Sequence, residues 1–252
     1  MLNFPGLVFA LSFAVLWLSE WIGASIRGRR RNPDEDERAD FSLIAAATLT
    51  LLGLIIGFSF SMAISRYDQR KNYEEAEVNA IGTEYVRADL LPGADAATVR
   101  ALLRSYLDQR VLFYSTRDDR QLRQINAATA QLETDLWSAV QAPALAQPTS
   151  VAALAVSGMN DVLNSQGCTQ AAWWNRIPPA AWGLMAAIAI CSNLLIGSGV
   201  RRTEAKAFLF LILPLVLSIS FFLIADIDSP RGGVIRVRPQ NLESLSQSLH
   251  AH

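Results

Sequence analysis

Two cysteines, two histidines and two lysines are all that the 252 residues contain of those types. The histidines, His250 and His252, close the chain, so no histidine metal cluster can be built from it. Cys168 and Cys191 would stand about 35 Å apart if the segment between them is helical, so no disulfide is expected between them and the redox compartment stays unread. A net charge of −1 and the lack of a Lys/Arg-rich tail give no reason to expect a nucleic-acid partner. Between Arg66 and Arg176 there is no Gly-rich phosphate loop, no CxxC pair and no nucleophile elbow. The spaced carboxylates Glu77 and Glu84 do not by themselves make an acid–base pair, so an enzyme is not expected and no cofactor or metal is implied. Arginine supplies almost every positive charge, and with the many alanines this composition fits a bacterial protein.

What the chain has in excess is apolar sequence. Apolar residues make up 51% of it, mean hydropathy is +0.23, and the excess falls into four blocks. Phe4 to Ile26 is the first, with Trp17 and Trp21 where indoles favour the headgroup zone. Its single acid, Glu20, is expected to reach the interface or an arginine there. A polar loop with opposed charge runs, Arg29–Arg31 and Asp34–Glu37, leads to Asp40, a suitable helix cap. Phe41 to Ser65 then runs without one ionisable side chain, long enough to cross a bilayer. The third and fourth spans are Ile177–Val200 and Ala207–Ala225, joined by a turn carrying Arg201, Arg202 and Lys206. Asn193 in the third is expected to bond a neighbouring helix, and Trp173, Trp174 and Trp182 to form an interfacial belt.

The second span continues past Ser65 with its helical period intact while its composition becomes that of a soluble helix, and Pro92-Gly93 ends it. Two stripes recur on its apolar part every fourth residue. Gly53, Gly57, Ser61 and Ser65 are small and suit close helix packing. Leu52, Ile56, Phe60 and Ile64 are bulky and suit an apolar pore constriction. Beyond the membrane, Arg66, Arg70 and Lys71 stand where a pore mouth would attract anions. Glu74, Glu75 and Glu77 follow at once and oppose this, with Arg70–Glu74 and Lys71–Glu75 spaced as helix ion pairs.

Three further helices are expected, from Asp95 to Tyr114 with its arginines opposite the apolar face, from Thr116 to Gln141, and from Thr149 to Gln166, with Pro143 and Pro148 in a loop. The fold class is therefore an all-α integral membrane protein, with four transmembrane helices and a helical extramembrane domain between the second and third. The expected division is 4–65 and 177–226 in the membrane, 66–176 as the domain, and 227–252 as a tail that starts extended. Arg and Lys are denser in the two short loops than beside the domain, which favours cytoplasmic short loops. Asp226 and Asp228 beside Pro230 and Arg231 could hold a cation, or pair with arginines.

EEAEVNAIGTEYVRADLLP (Glu74–Pro92) and DIDSPRGGVIRV (Asp226–Val237) resemble the motifs of a bacterial membrane protein family described as bestrophin-like. The matching positions are Glu77, Asn79, Gly82, Thr83, Asp226, Asp228, Pro230 and Arg231. The resemblance implies what bestrophins are: pentameric anion channels of four spans per subunit, with a cytosolic helical region and a second span that lines the pore. On that reading Ile56, Phe60 and Ile64 match the bulky pore residues, the partners are lipid, small ions and further copies of the chain, and the site is the bacterial inner membrane. A cytosolic domain opposes the charge count. The acidic calcium clasp of animal bestrophins is absent, so calcium gating is not implied. The alternative function is a non-conducting, membrane-anchored helical scaffold or sensor that binds a protein.

Overall fold

Proline marks where helices begin in this chain. Its fixed φ and missing N–H suit a first turn, where the amide has no helical partner anyway. In the computed structural model, which describes residues 4–27, 35–199 and 209–251, α1 (Pro5–Arg27) and α6 (Pro179–Gly199) start on proline. Pro92 precedes α3 (Gly93–Ser115) and Pro239 precedes α8 (Gln240–His250). Two other starts are capped by side chains: Asp118 accepts from the Arg120 amide at 2.8 Å for α4 (Asp119–Ala146), and Thr149 from the Ala152 amide at 3.0 Å for α5 (Ser150–Trp174). α2 (Glu35–Arg87) is unbroken over 53 residues and closes in a 3-10 turn at Ala88–Leu90. α7 (Leu209–Asp228) completes the set, and no strand occurs among the described residues.

Four stretches are long and apolar enough to cross a membrane, in α1, α2, α6 and α7. The architecture is thus the expected all-α one. Several local expectations are corrected. Asp40 lies inside α2 rather than capping it, because an acidic run is itself favourable in a first turn. α4 runs through Pro143 to Ala146, the ring falling in the last turn where few bonds remain to be lost. α5 extends two turns past Gln166. The Arg29–Arg31 and Arg201–Lys206 turns lie outside the described residues.

The chain divides into two units. Residues 1–66 and 176–236 form the first, in which α1 packs on α6 and α7. Two glycines make the α1–α6 contact possible: a Cβ on Gly23 would run into the Leu194 carbonyl, and one on Gly197 into the Glu20 carbonyl. Glu20 is buried rather than reaching the interface. Asn193, also buried, donates to the Ala189 carbonyl of its own helix at 2.8 Å, while its Oδ1 has no hydrogen-bond partner among the described residues.

Residues 67–175 and 237–252 form the second unit, where α3 packs on α4 and α8, and α4 on α5. Val99, Leu103, Leu107, Phe113, Leu136 and Met159 are at its core. Trp173 belongs to this core and not to an interfacial belt, with ring centroids 4.9 Å from Phe113 and 5.3 Å from Tyr114. Trp174, one residue on, is exposed.

Candidate functional site

α2 carries most of the residues singled out in the sequence, and a single face of it organises them. Buried positions follow at steps of three, four or seven residues, all of which return to one side of a helix, through Leu52, Ser59, Ala63, Arg70, Glu74, Glu77, Ile81, Glu84 and Ala88. The same face is therefore apolar or small in the first unit and charged in the second. An i,i+4 stripe drifts around a helix by about 40° per step, so the bulky stripe leaves this face as it ascends. Leu52 is 1% exposed, Ile56 half-buried, and Phe60 and Ile64 are 36% and 39% exposed. Gly53, Gly57, Ser61 and Ser65 all point away from the buried face, and a Cβ on Gly53 or Gly57 would meet nothing within 4 Å. In α2's apolar window 6% of residues are buried within the chain, against 44% in that of α7.

The charged half of the face binds the ends of other helices. Arg70 donates to the Ala172 and Asn175 carbonyls at 3.3 and 3.4 Å, where α5 ends and the helix dipole is negative. One turn on, Glu74 accepts from the Asn241 and Leu242 amides, each at 3.1 Å, and from the Asn241 side chain at 2.8 Å. That carboxylate is a cap for the start of α8 supplied from another helix, since Pro239 has no side chain with which to do it. Arg66 is half-buried and lies 3.8 Å from Asp228, while Lys71 is exposed.

Glu77 is fully buried and receives three neighbours. Arg110 of α3 donates from Nε and, at 3.5 Å, from Nη2. Tyr114 donates at 3.3 Å and Thr169 of α5 at 3.2 Å. The Arg110 guanidinium also lies over the Phe113 ring, 4.4 Å from its centroid. Burial alone would pull the Arg110 pKa down, yet the Glu77 charge beside it holds it above its ordinary value. Burial pushes the hydroxyls of Tyr106 and Tyr114 up, and Glu77 adds to both shifts. Glu133 on α4 is also raised, chiefly by burial, with Arg110 lowering it and Glu77 adding a smaller rise.

Of the remaining motif positions, Asn79 and Thr83 are exposed, and Gly82 faces Leu245 of α8 at van der Waals distance. In the first unit, Asp226 accepts from the Val234 and Ile235 amides, both at 2.8 Å. Asp228 accepts from Arg176 Nε at 2.9 Å and the Ile177 amide at 3.1 Å. Ser229 accepts from the Gly232 amide at 3.1 Å, and a Cβ on Gly233 would strike the Asp226 carbonyl. Pro230 and Arg231 sit half-buried in this turn. These aspartates tie the chain together where α7 ends, and no group of three or more potential metal ligands occurs among the described residues.

Arg110, Tyr114 and Thr169 were not singled out by the sequence reading. Arg110 follows Leu103 and Leu107 at helical spacing, so an arginine on the apolar register, rather than opposite it, was the available signal.

Four membrane-length helices and a second, all-α unit define a polytopic α-helical membrane protein. The chain belongs to the family with a Bestrophin-like domain, whose model matches residues 6–242. Its fold is similar to crystal structures of a bacterial Bestrophin homolog from Klebsiella pneumoniae. The zinc-phased structure aligns with a TM-score of 0.66 at 14% identity, over 97% of each chain. Two mutant forms of that homolog align at 0.64 and 0.67, with 14% and 13% identity, covering 96% of this chain and 98% and 97% of theirs. Comparison with curated proteins gives no match.

Proposed function

We propose that the chain is one subunit of a homo-oligomeric ion channel in the bacterial inner membrane, with the α2 helices of several copies around the conduction path. Membership of the Bestrophin-like family supports a channel-type function. The observation that carries the reading is α2 itself. It holds the chain's two helical units in one continuous element, yet leaves its apolar span with little burial inside its own protomer. Ile56, Phe60 and Ile64 form the proposed constriction, where bulky apolar side chains gate by excluding water. Leu52 is left out of it because its side chain is spent on packing within the protomer. Gly53, Gly57, Ser61 and Ser65 provide a surface on which a second helix can approach closely. A pentamer passing anions is the form that the family resemblance favours. Arg66 and Arg70 are engaged by protein groups, which leaves Lys71 as the exposed cation at the proposed mouth.

Purified protein in liposomes, with chloride and potassium flux read in parallel, tests this. Flux with one ion preferred is expected, and Phe60→Ala raises it several-fold by widening the constriction while oligomer size stays the same. Absence of flux under either gradient, or unchanged flux in an assembled Phe60→Ala variant, favours the non-conducting scaffold.

A further inference from the structure

The second unit contains a buried acid that has no hydrogen bond among the described residues. Glu84 lies on the same face of α2 as Glu74 and Glu77, and its side chain is fully buried. Neither of its carboxyl oxygens has a hydrogen-bond partner among the described residues. It rests on α5 at Gly158, where a Cβ would run into Glu84 Oε2 and would come within 2.6 Å of Arg87 Nη1. Glycine at 158 is what lets the carboxyl and the guanidinium share that surface. A buried carboxylate without donors is far less favourable charged than neutral. The charged groups acting on it are Arg87, one turn along its own helix, and Asp161, one turn beyond Gly158 on α5.

We propose that Glu84 is a proton-binding site, at which the neutral acid holds α5 against α2 through Gly158 and loss of the proton loosens that contact as the new charge turns toward Arg87. Ionisation places a second negative charge opposite Asp161, so the two helices are pushed apart on the side where they now touch. Burial is the largest influence and raises the pKa from 4.5 to about 8, with Arg87 lowering it and Asp161 raising it. The folded unit therefore holds this proton more tightly than the unfolded chain. Its contribution to stability is fully present below the unfolded value of 4.5, falls as pH rises toward about 8, and is level above that.

Hydrogen exchange of the full chain in lipid nanodiscs, from about pH 6 to about pH 9.5 and corrected for intrinsic amide rates, reads the contact directly. Protection over residues 150–162 is expected to drop on the order of tenfold across that range. In Glu84→Gln it stays at its low-pH level throughout, and in Asp161→Asn the drop moves to lower pH. A drop of equal size in Glu84→Gln, no drop in the unmodified chain, or an unmoved midpoint in Asp161→Asn overturns the proposal. Asp161 is exposed, so that variant decides the matter even if Glu84→Gln does not fold. None of these readouts depends on whether the protein conducts.

Discussion

Glu74, Glu77 and Glu84 are the same side chain placed three times on one face of one helix, and each has a different role. Glu74 finds the free amides of a helix start, Glu77 a guanidinium and two hydroxyls, and Glu84 no hydrogen-bond partner among the described residues. Sequence spacing places all three on the face but is silent about what each meets, because their partners come from α3, α5 and α8. The Glu77–Arg110 pair is the most exposed to damage by mutation. Both side chains are buried, and removing one partner strands a charge where water cannot reach it, which costs about 3–5 kcal/mol. Arg110→Met should therefore lower the thermal midpoint sharply or abolish accumulation of folded protein. Glu77→Gln combined with Arg110→Met should lose much less than the sum of the single changes, since no unpaired charge remains. Thermal unfolding in detergent of the four proteins measures the difference.

At the scale of helices, glycine acts in two opposite settings. Gly23 and Gly197 are tight against backbone, whereas Gly53 and Gly57 open onto space in the protomer. Gly197→Val must push α1 from α6 and should destabilise the first unit by about 1–3 kcal/mol or more. Gly57→Val should leave the protomer folded and reduce the fraction of oligomer seen by size-exclusion chromatography with light scattering. An unaltered oligomer in that variant would remove the stripe from the subunit contact. The small stripe on α2 was readable in the sequence because it repeats within one helix. The Gly23–Gly197 pair was not, since each is a lone glycine whose meaning depends on a helix that lies far along the chain. Helix ends were legible to within a turn where proline or a cap set them, and least so at the end of α5 and at Asp40 and Pro143, where an acidic first turn and a proline in the last turn are both tolerated.

For the whole molecule, four spans and a helical insertion were legible because hydropathy and helical period are properties of contiguous sequence. The composition of the second unit was not, since α8 joins it from the far side of two spans. Leu242 is fully buried there, and Leu245 and Leu249 pack on the same core. Each side chain of this kind contributes roughly 1.5–3 kcal/mol when fully buried. A chain ending before Val237 should insert into membranes normally but be cut by protease within residues 67–175, whereas the full chain resists under the same conditions.

The cap that Glu74 gives to α8 joins residues 167 positions apart in the chain. At roughly 5–20 residues per second, about 10–30 s of translation separate the appearance of Glu74 from that of Asn241. During that interval α6 and α7 must be handed to the insertion machinery while the second unit waits with the side of α3 that α8 covers still open. Newly made protein is thus exposed to chaperones and proteases until α8 has been made, and the docking of α8 is the step that ends this vulnerability.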